Sequence, residues 1–316
     1  AESFLNEICA NEISKPVGSL IYSQMLNGKG GIECDVVIAR IAEDAYYIIS
    51  GTGFMTHDYH WIRSKISENK NVTIENCTEF YSVFSLMGPK SREILKLSSP
   101  DNFDNNNFPF GTFQNISILN FPVKALRMSF LGELGWELHF EKKHSKEIYK
   151  KLLISGVPLG LINAGYRVIE SCRLEKGYRV WGHDIGPDYT PLEAGLGWAT
   201  KINSKKNFIG KKALIKQKEE GIYKMFVGFT CYSSDAILLG RETIFRNGEK
   251  VGWLSSGGYG YTIDKYIGYG YIRSSFPIDD NFIINGSYEL EVAKQRYKCK
   301  VHLKPLYDPL MKKLKM

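Results

Sequence analysis

Two carboxylates hold positions where chemistry could be done. Glu175 ends the run Tyr166, Ile169, Cys172 in a predicted helix from Asn163 to Lys176 that Gly177 stops. A negative charge in a last helical turn opposes the macrodipole and needs compensation. Arg173 or Arg179 can provide it as an ion pair; the functional alternative is a carboxylate held ready for the paired N–H donors of a heterocycle. Asp35 follows the turn Gly28-Lys29-Gly30-Gly31 and shares one side of a predicted strand, Glu33 to Ala39, with apolar Val37 and Ala39. A carboxylate entering a core face needs a partner or a ligand, and could orient an amine or take its proton. The plainer reading is an exposed strand end beside Glu33, and the residues alone leave both open.

Other polar groups read as structural. His57 and His60 have the i, i+3 spacing that metal sites use, but no third ligand is evident, so an exposed helix face and no metal are expected. His183, Asp184 and Asp188 form a polar turn ahead of Pro191, and Ser255-Ser256-Gly257 is turn chemistry. Nucleophile-elbow, phosphate-loop and dinucleotide-binding patterns are absent.

The elements that must position these groups change character along the chain. Strands at Glu33 to Ala39 and Ala45 to Ile49 precede a helix over His57 to Ser67, and Pro89 opens another. A hairpin pairs Ala125 to Phe130 with Trp136 to Phe140, followed by helices over Ser145 to Ile154 and Asn163 to Lys176. After a helix over Lys211 to Glu220, only strands are expected: Tyr223 to Thr230, Thr243 to Arg246 turning at Asn247-Gly248, Val251 to Leu254, Ile267 to Ile272 and Tyr288 to His302. They predict a small antiparallel barrel, dividing the chain into 1–221 and 222–316.

With 316 residues, 43% hydrophobic and 24% charged, the composition is that of a folded chain with a sizeable core. The 41 Lys+Arg against 34 Asp+Glu give +7, but the excess lies in scattered pairs such as Lys205-Lys206, so no nucleic-acid surface is expected. No apolar run is long enough to span a membrane. Six cysteines without a C-x-x-C pair point to a reducing compartment. The start at Ala1 suggests a piece of something longer, or a processed product.

Several segments, in order, resemble the folate-binding aminomethyltransferase (glycine-cleavage T-protein) family. They are Tyr22 to Asn27 with Gly30-Gly31 and Asp35; Gly132-Glu133-Leu134-Gly135-Trp136-Glu137-Leu138; Arg173-Leu174-Glu175-Lys176-Gly177; Thr190 to Leu196; Phe208-Ile209-Gly210-Lys211; and Ser255-Ser256-Gly257. Gly160 to Arg167, Tyr178-Arg179 and the ending His302 to Pro309 are most similar to the C-terminal domain of sarcosine and dimethylglycine dehydrogenases, and almost as similar to the pyruvate dehydrogenase phosphatase regulatory subunit.

The resemblance implies an α+β fold with mixed subdomains around a central cavity and a C-terminal antiparallel β-barrel. It implies tetrahydrofolate as cofactor, with FAD confined to a separate or missing domain, and a small methylated amine and a flavoprotein dehydrogenase domain or chain as partners. The implied reaction captures a one-carbon unit from sarcosine or dimethylglycine as 5,10-methylenetetrahydrofolate. A non-catalytic regulatory module and direct methyl transfer to folate are the alternatives. The implied compartment is the cytoplasm for a bacterial chain and the mitochondrial matrix for a eukaryotic one.

By position, Glu175 matches the pterin-anchoring glutamate, Asp35 the aspartate near the reactive folate nitrogens, and Tyr22 a pocket tyrosine. The arginine of the glycine-cleavage branch falls at Ser204, and Gly51 stands where that branch has an asparagine. Lys201, Lys205 and Lys206 are then the expected contacts for an anionic folate tail, as point charges without the guanidinium fork. These departures favour the dehydrogenase-like branch. The family's domain also begins well before the position of Ala1, so an early strand is expected to be supplied elsewhere or lost in processing.

Overall fold

The alternation of the Asp35 strand organises the first third of the chain. In the computed structural model, which describes residues 1–68 and 70–316, α1 (Glu2–Ile8) leads into an antiparallel sheet of β1 (Leu20–Leu26), β2 (Ile32–Arg40) and β3 (Tyr46–Ile49), in that order. Cys34, Val36 and Ile38 point into a core with Phe4, Leu5, Ile8 and Met25. Asp35 and Val37 therefore face the other way, since successive strand residues alternate sides. Gly31 has a specific reason to lack a side chain: a Cβ there would sit 1.7 Å from the Pro187 carbonyl oxygen. That close approach lets Ile32 donate its N–H to Gly186 and Tyr189 carbonyls, docking the 181–190 segment on the mouth of β2.

Helix α2 (Met55–Ser64) follows β3, and β4 (Tyr81–Met87) and α3 (Ser91–Ser98) come next. A second antiparallel sheet joins β4 to β5 (Phe113–Ile118), β6 (Phe121–Leu126) and β7 (Gly135–Glu141) in the order β4-β7-β6-β5. One face carries Leu86, Val123, Ala125, Trp136, Leu138 and Phe140 into a core shared with α3 and α4 (Ser145–Gly156). The expected hairpin forms, but its first strand ends at Leu126 and a longer connection follows.

The predicted helix over Asn163 to Lys176 is shorter: α5 spans Arg167–Glu175. Ile162 and Tyr166 are 80% and 79% exposed, so no apolar burial holds an additional turn. Gly177 ends it with φ +66°. After α6 (Lys211–Glu220), the strands β8 (Lys224–Cys231), β9 (Thr243–Arg246), β10 (Glu249–Gly260), β11 (Lys265–Arg273), β12 (Tyr288–Val292) and β13 (Gln295–His302) form a closed antiparallel barrel, with α7 (Asp280–Ile284) before β12. Two expectations are corrected here. Tyr288 to His302 is a hairpin, because Ala293 and Lys294 turn with φ of +48° and +67°. Ser255-Ser256-Gly257 lies inside β10 instead of in a turn. Together these elements give the expected mixed α/β body with a C-terminal barrel.

Candidate active site

The first sheet, the second sheet, the segment after α5 and the barrel together line a cavity of about 3000 Å³. Tyr22, Asp35, Arg173, Arg179, Trp181 and Trp198 all contribute to its wall. Cross-strand register builds the Asp35 corner: Gln24 pairs with Asp35 and Tyr22 with Val37. Directly opposed and diagonal side chains on one sheet face are within reach of one another. The Tyr22 hydroxyl donates to Asp35 Oδ1 at 2.7 Å, and Gln24 Nε2 donates to the same oxygen at 3.2 Å. Trp198 stacks on Tyr22 with ring centroids 5.5 Å apart.

Burial pushes the Asp35 carboxyl up to about 6, against the lowering effect of the Tyr22 and Gln24 donors; Asp58 adds to the rise and Arg179 opposes it. Tyr22 is itself pushed well up by burial and the Asp35 charge, so it stays protonated and donating. Gln24 is fully buried, and its Oε1 has no hydrogen-bond partner among the described residues.

Glu175 has a different environment. Its side chain is buried, and Oε1 accepts the backbone N–H groups of Thr262 at 2.6 Å and Ile263 at 3.0 Å. The barrel turn after β10 thus compensates the charge that the helix end disfavours. Neither Arg173 nor Arg179 pairs with it. Arg173 is buried and donates to Asp184 Oδ2 at 2.9 Å, Glu170 Oε2 at 2.7 Å and Ser256 Oγ at 2.9 Å. Arg179 donates to the Ala194 and Gly177 carbonyls and lies over the Phe226 ring. Helical phase separates the two roles: Tyr166, Ile169, Glu170 and Arg173 line the cavity, whereas Glu175 lies about 200° around the helix from Arg173 at 100° per residue.

The three lysines lie outside the lining residues. Lys206 donates to the Asn11 carbonyl, and burial lowers its ammonium to about 8. Asn11 itself lines the cavity, so Lys206 sits behind the wall. Lys201 is half-buried and Lys205 exposed, and neither Nζ has an acceptor among the described residues. The structure therefore brings Tyr22 and Asp35 together and leaves Glu175 and the lysines apart from them.

Sequence reasoning missed a second polar group on the facing wall. His139 is 2% exposed; its Nδ1 is 3.1 Å from the Tyr47 hydroxyl, and its Nε2 is 3.6 Å from Glu137. The signal was present in β7, where Glu137, His139 and Glu141 alternate with the core residues Trp136, Leu138 and Phe140.

The chain matches the family model of the GCVT N-terminal domain over residues 1–204 and that of the glycine cleavage T-protein C-terminal barrel domain over 224–308. It belongs to the glycine-cleavage T-protein family. Among individual proteins, it is 37% identical to sarcosine dehydrogenase, mitochondrial, of Homo sapiens, matching over 96% of this chain and 35% of that protein. It is 34% identical to the aminomethyltransferase of Halothermothrix orenii, over 85% of this chain and 74% of that one. The solved glycine cleavage system aminomethyltransferase T from Bartonella henselae superposes with a TM-score of 0.83 at 23% identity, covering 98% of this chain and 81% of that structure. The chain spans about a third of the length of the sarcosine dehydrogenases it matches. Among the described residues, no helix is long and apolar enough to cross a membrane.

Proposed function

We propose that this chain binds tetrahydrofolate in the central cavity and transfers a one-carbon unit, with Asp35 handling the proton of the reacting nitrogen. The observation that carries this reading is the Asp35 corner: a carboxyl raised to about 6, held by neutral donors from Tyr22 and Gln24 on a cavity wall. A base with its ionisation near the working pH is suited to proton transfer in either direction. The residues fit a flat heterocycle with N–H donors. The Tyr22 and Trp198 rings supply stacking surface, the Asp35 carboxylate supplies an acceptor on the cavity wall, and the cavity exceeds the few hundred to 1,000 Å³ of ordinary ligand sites.

Folate, when bound, supplies the nucleophilic nitrogens that accept the one-carbon unit. Asp35 takes a proton at the attacking nitrogen and returns it to the leaving amine, while Tyr22 fixes the carboxylate by donating to Oδ1. Glu175 stands outside the cavity lining with Oε1 engaged by Thr262 and Ile263, so a pterin contact there is proposed only through Oε2. Lys201 and Lys205, which lie outside the cavity lining, are the proposed contacts for a folate tail that extends beyond it, and Lys206 is held on the Asn11 carbonyl.

The one-carbon unit proposed for capture comes from oxidation of a small N-methylated amine of the sarcosine or dimethylglycine kind, on a flavoprotein domain or chain, giving 5,10-methylenetetrahydrofolate. For a eukaryotic chain the proposed compartment is the mitochondrial matrix. The test is thermal unfolding with folinic acid. At 100 times its Kd a ligand specific for the native state adds about 2.7 kcal/mol, a shift of several degrees. No shift in the folded chain at saturating folinic acid, or an equal shift from an acidic dipeptide lacking the heterocycle, overturns the reading.

A further inference from the structure

The cavity corner accounts for Asp35, but the opposite side of the same strand carries a second constellation. Strand β3 pairs with Val37–Arg40, and among the described residues the edge of β2 around Glu33, Cys34 and Asp35 has no strand neighbour on that side. The start of α2 lies against β2 and brings in His57 and Asp58. One atom each from Cys34, His57 and Asp58, a thiol sulfur, a ring nitrogen and a carboxylate oxygen, all lie within 4.8 Å of one another. Cys34 and Asp58 are buried, whereas the His57 side chain is 40% exposed, which leaves an entry path.

The imidazole is oriented from both sides. Nδ1 faces Asp58 Oδ1 at 3.0 Å, and Nε2 faces Glu33 Oε2 at 3.5 Å. Glu33 is in turn held by the Asn27 amide at 3.1 Å, and Trp181 packs on the ring with centroids 5.2 Å apart. A carboxylate on one ring nitrogen of a histidine, with the other beside a second carboxylate and a thiol within the same cluster, is an arrangement that presents imidazole to a metal. His60, the other histidine of the i, i+3 pair, is exposed with its ring against Tyr59 and takes no part.

We propose that Cys34 Sγ, His57 Nδ1 and Asp58 bind a zinc-class divalent ion, with Glu33 as the carboxylate that orients His57. A thiolate with imidazole and one carboxylate selects zinc-like ions over magnesium or calcium, which take oxygen ligands. Arms of about 2.0–2.3 Å place tetrahedral ligands about 3.3–3.8 Å apart, so the His57–Asp58 pair at 3.0 Å opens slightly and any pair near the 4.8 Å limit closes by about 1–1.5 Å. On binding, the Cys34 S–H bond breaks, its proton leaves to solvent, and the sulfur lone pair forms the metal–sulfur bond. The ion fastens the start of α2 to β2 immediately behind Asp35.

The experiment titrates cobalt(II), then zinc, into the whole chain after treatment with chelator. Expected are a thiolate-to-cobalt charge-transfer band that saturates at a single ion per chain, displacement by zinc, and a raised Tm with zinc. Cys34→Ser removes the band, and Glu33→Gln weakens binding by about 10- to 100-fold. Should Cys34→Ser fail to fold, His57→Ala, at a partly exposed position, carries the test and loses affinity by more than Glu33→Gln does. Absence of the band with cobalt in excess, its survival in Cys34→Ser, or unchanged affinity in His57→Ala overturns the proposal.

Discussion

Asp35 and Glu175 are both carboxylates with little exposure, yet the molecule treats them in opposite ways. Glu175 takes its hydrogen bonds from two backbone N–H groups of a barrel turn, donors whose position is set by the chain itself. Asp35 takes its hydrogen bonds from a phenol and an amide on a neighbouring strand, beside a cavity. Fixed backbone donors suit a joint between two parts of a fold. At Asp35 two side-chain donors oppose the effect of burial without cancelling it, and the carboxyl rises to about 6. What a carboxylate can do thus depends on the balance between burial, which favours its neutral form, and the donors that hold its charge.

The sharpest way to break this contrast is to neutralise Asp35 in the proposed transfer. Asp35→Asn is expected to lower the rate of methylenetetrahydrofolate formation by about 10²- to 10⁴-fold while folinic acid still raises the Tm. In the unaltered chain the rate falls as pH drops through about 6, where Asp35 takes up its proton. A rate that is flat across that range detaches Asp35 from the chemistry.

Glu175 tests the other side. Glu175→Ala strands two buried N–H groups and is expected to cost about 2–5 kcal/mol in denaturant unfolding. Glu175→Gln keeps an acceptor at Oε1 and costs less. If Glu175→Gln also abolishes the folinic acid shift while unfolding almost normally, the residue anchors ligand as well as turn.

The smallest effect is in stability against pH. Asp35 has a folded value above its unfolded one, so the native state binds the extra proton between about 4 and 6, and stability declines as pH rises through that window. At pH 7 Asp35→Asn is therefore expected to be more stable than the unaltered chain by about 1–3 kcal/mol, and its stability flatter across the window. Equal slopes for the two proteins mean that burial of Asp35 carries no such penalty.

Local signals were legible in the sequence. The β-branched content of β2 marked a strand with Asp35, Val37 and Ala39 on one side, Gly30-Gly31 marked a turn, Gly177 ended its helix, and Asn247-Gly248 closed a hairpin. The partners of buried charges were not legible, because they come from far along the chain. Thr262 and Ile263 reach Glu175 across 87 and 88 residues, and Ser256 reaches Arg173 across 83. The turn at Ala293-Lys294 was hidden for a different reason: neither residue type advertises a left-handed backbone, and the two-residue hairpin between Val292 and Gln295 imposes it. Cys34, His57 and Asp58 meet only because a short third strand leaves the edge of β2 to a helix.

The Arg173 junction has a consequence for how the chain can be divided. Its guanidinium joins Asp184 of the body to Ser256 of the barrel, and Asp184 also accepts from Ser255 and Ser256. Cutting the chain between α6 and β8 would leave Arg173 and Asp184 sharing a buried charge pair stripped of its hydroxyl donors, and would unseat Glu175 as well. Neither half is a portable module. A chimera that exchanges the barrel must carry matching hydroxyls at 255 and 256 and a compatible 260–263 turn, or inherit an ion pair opened to water.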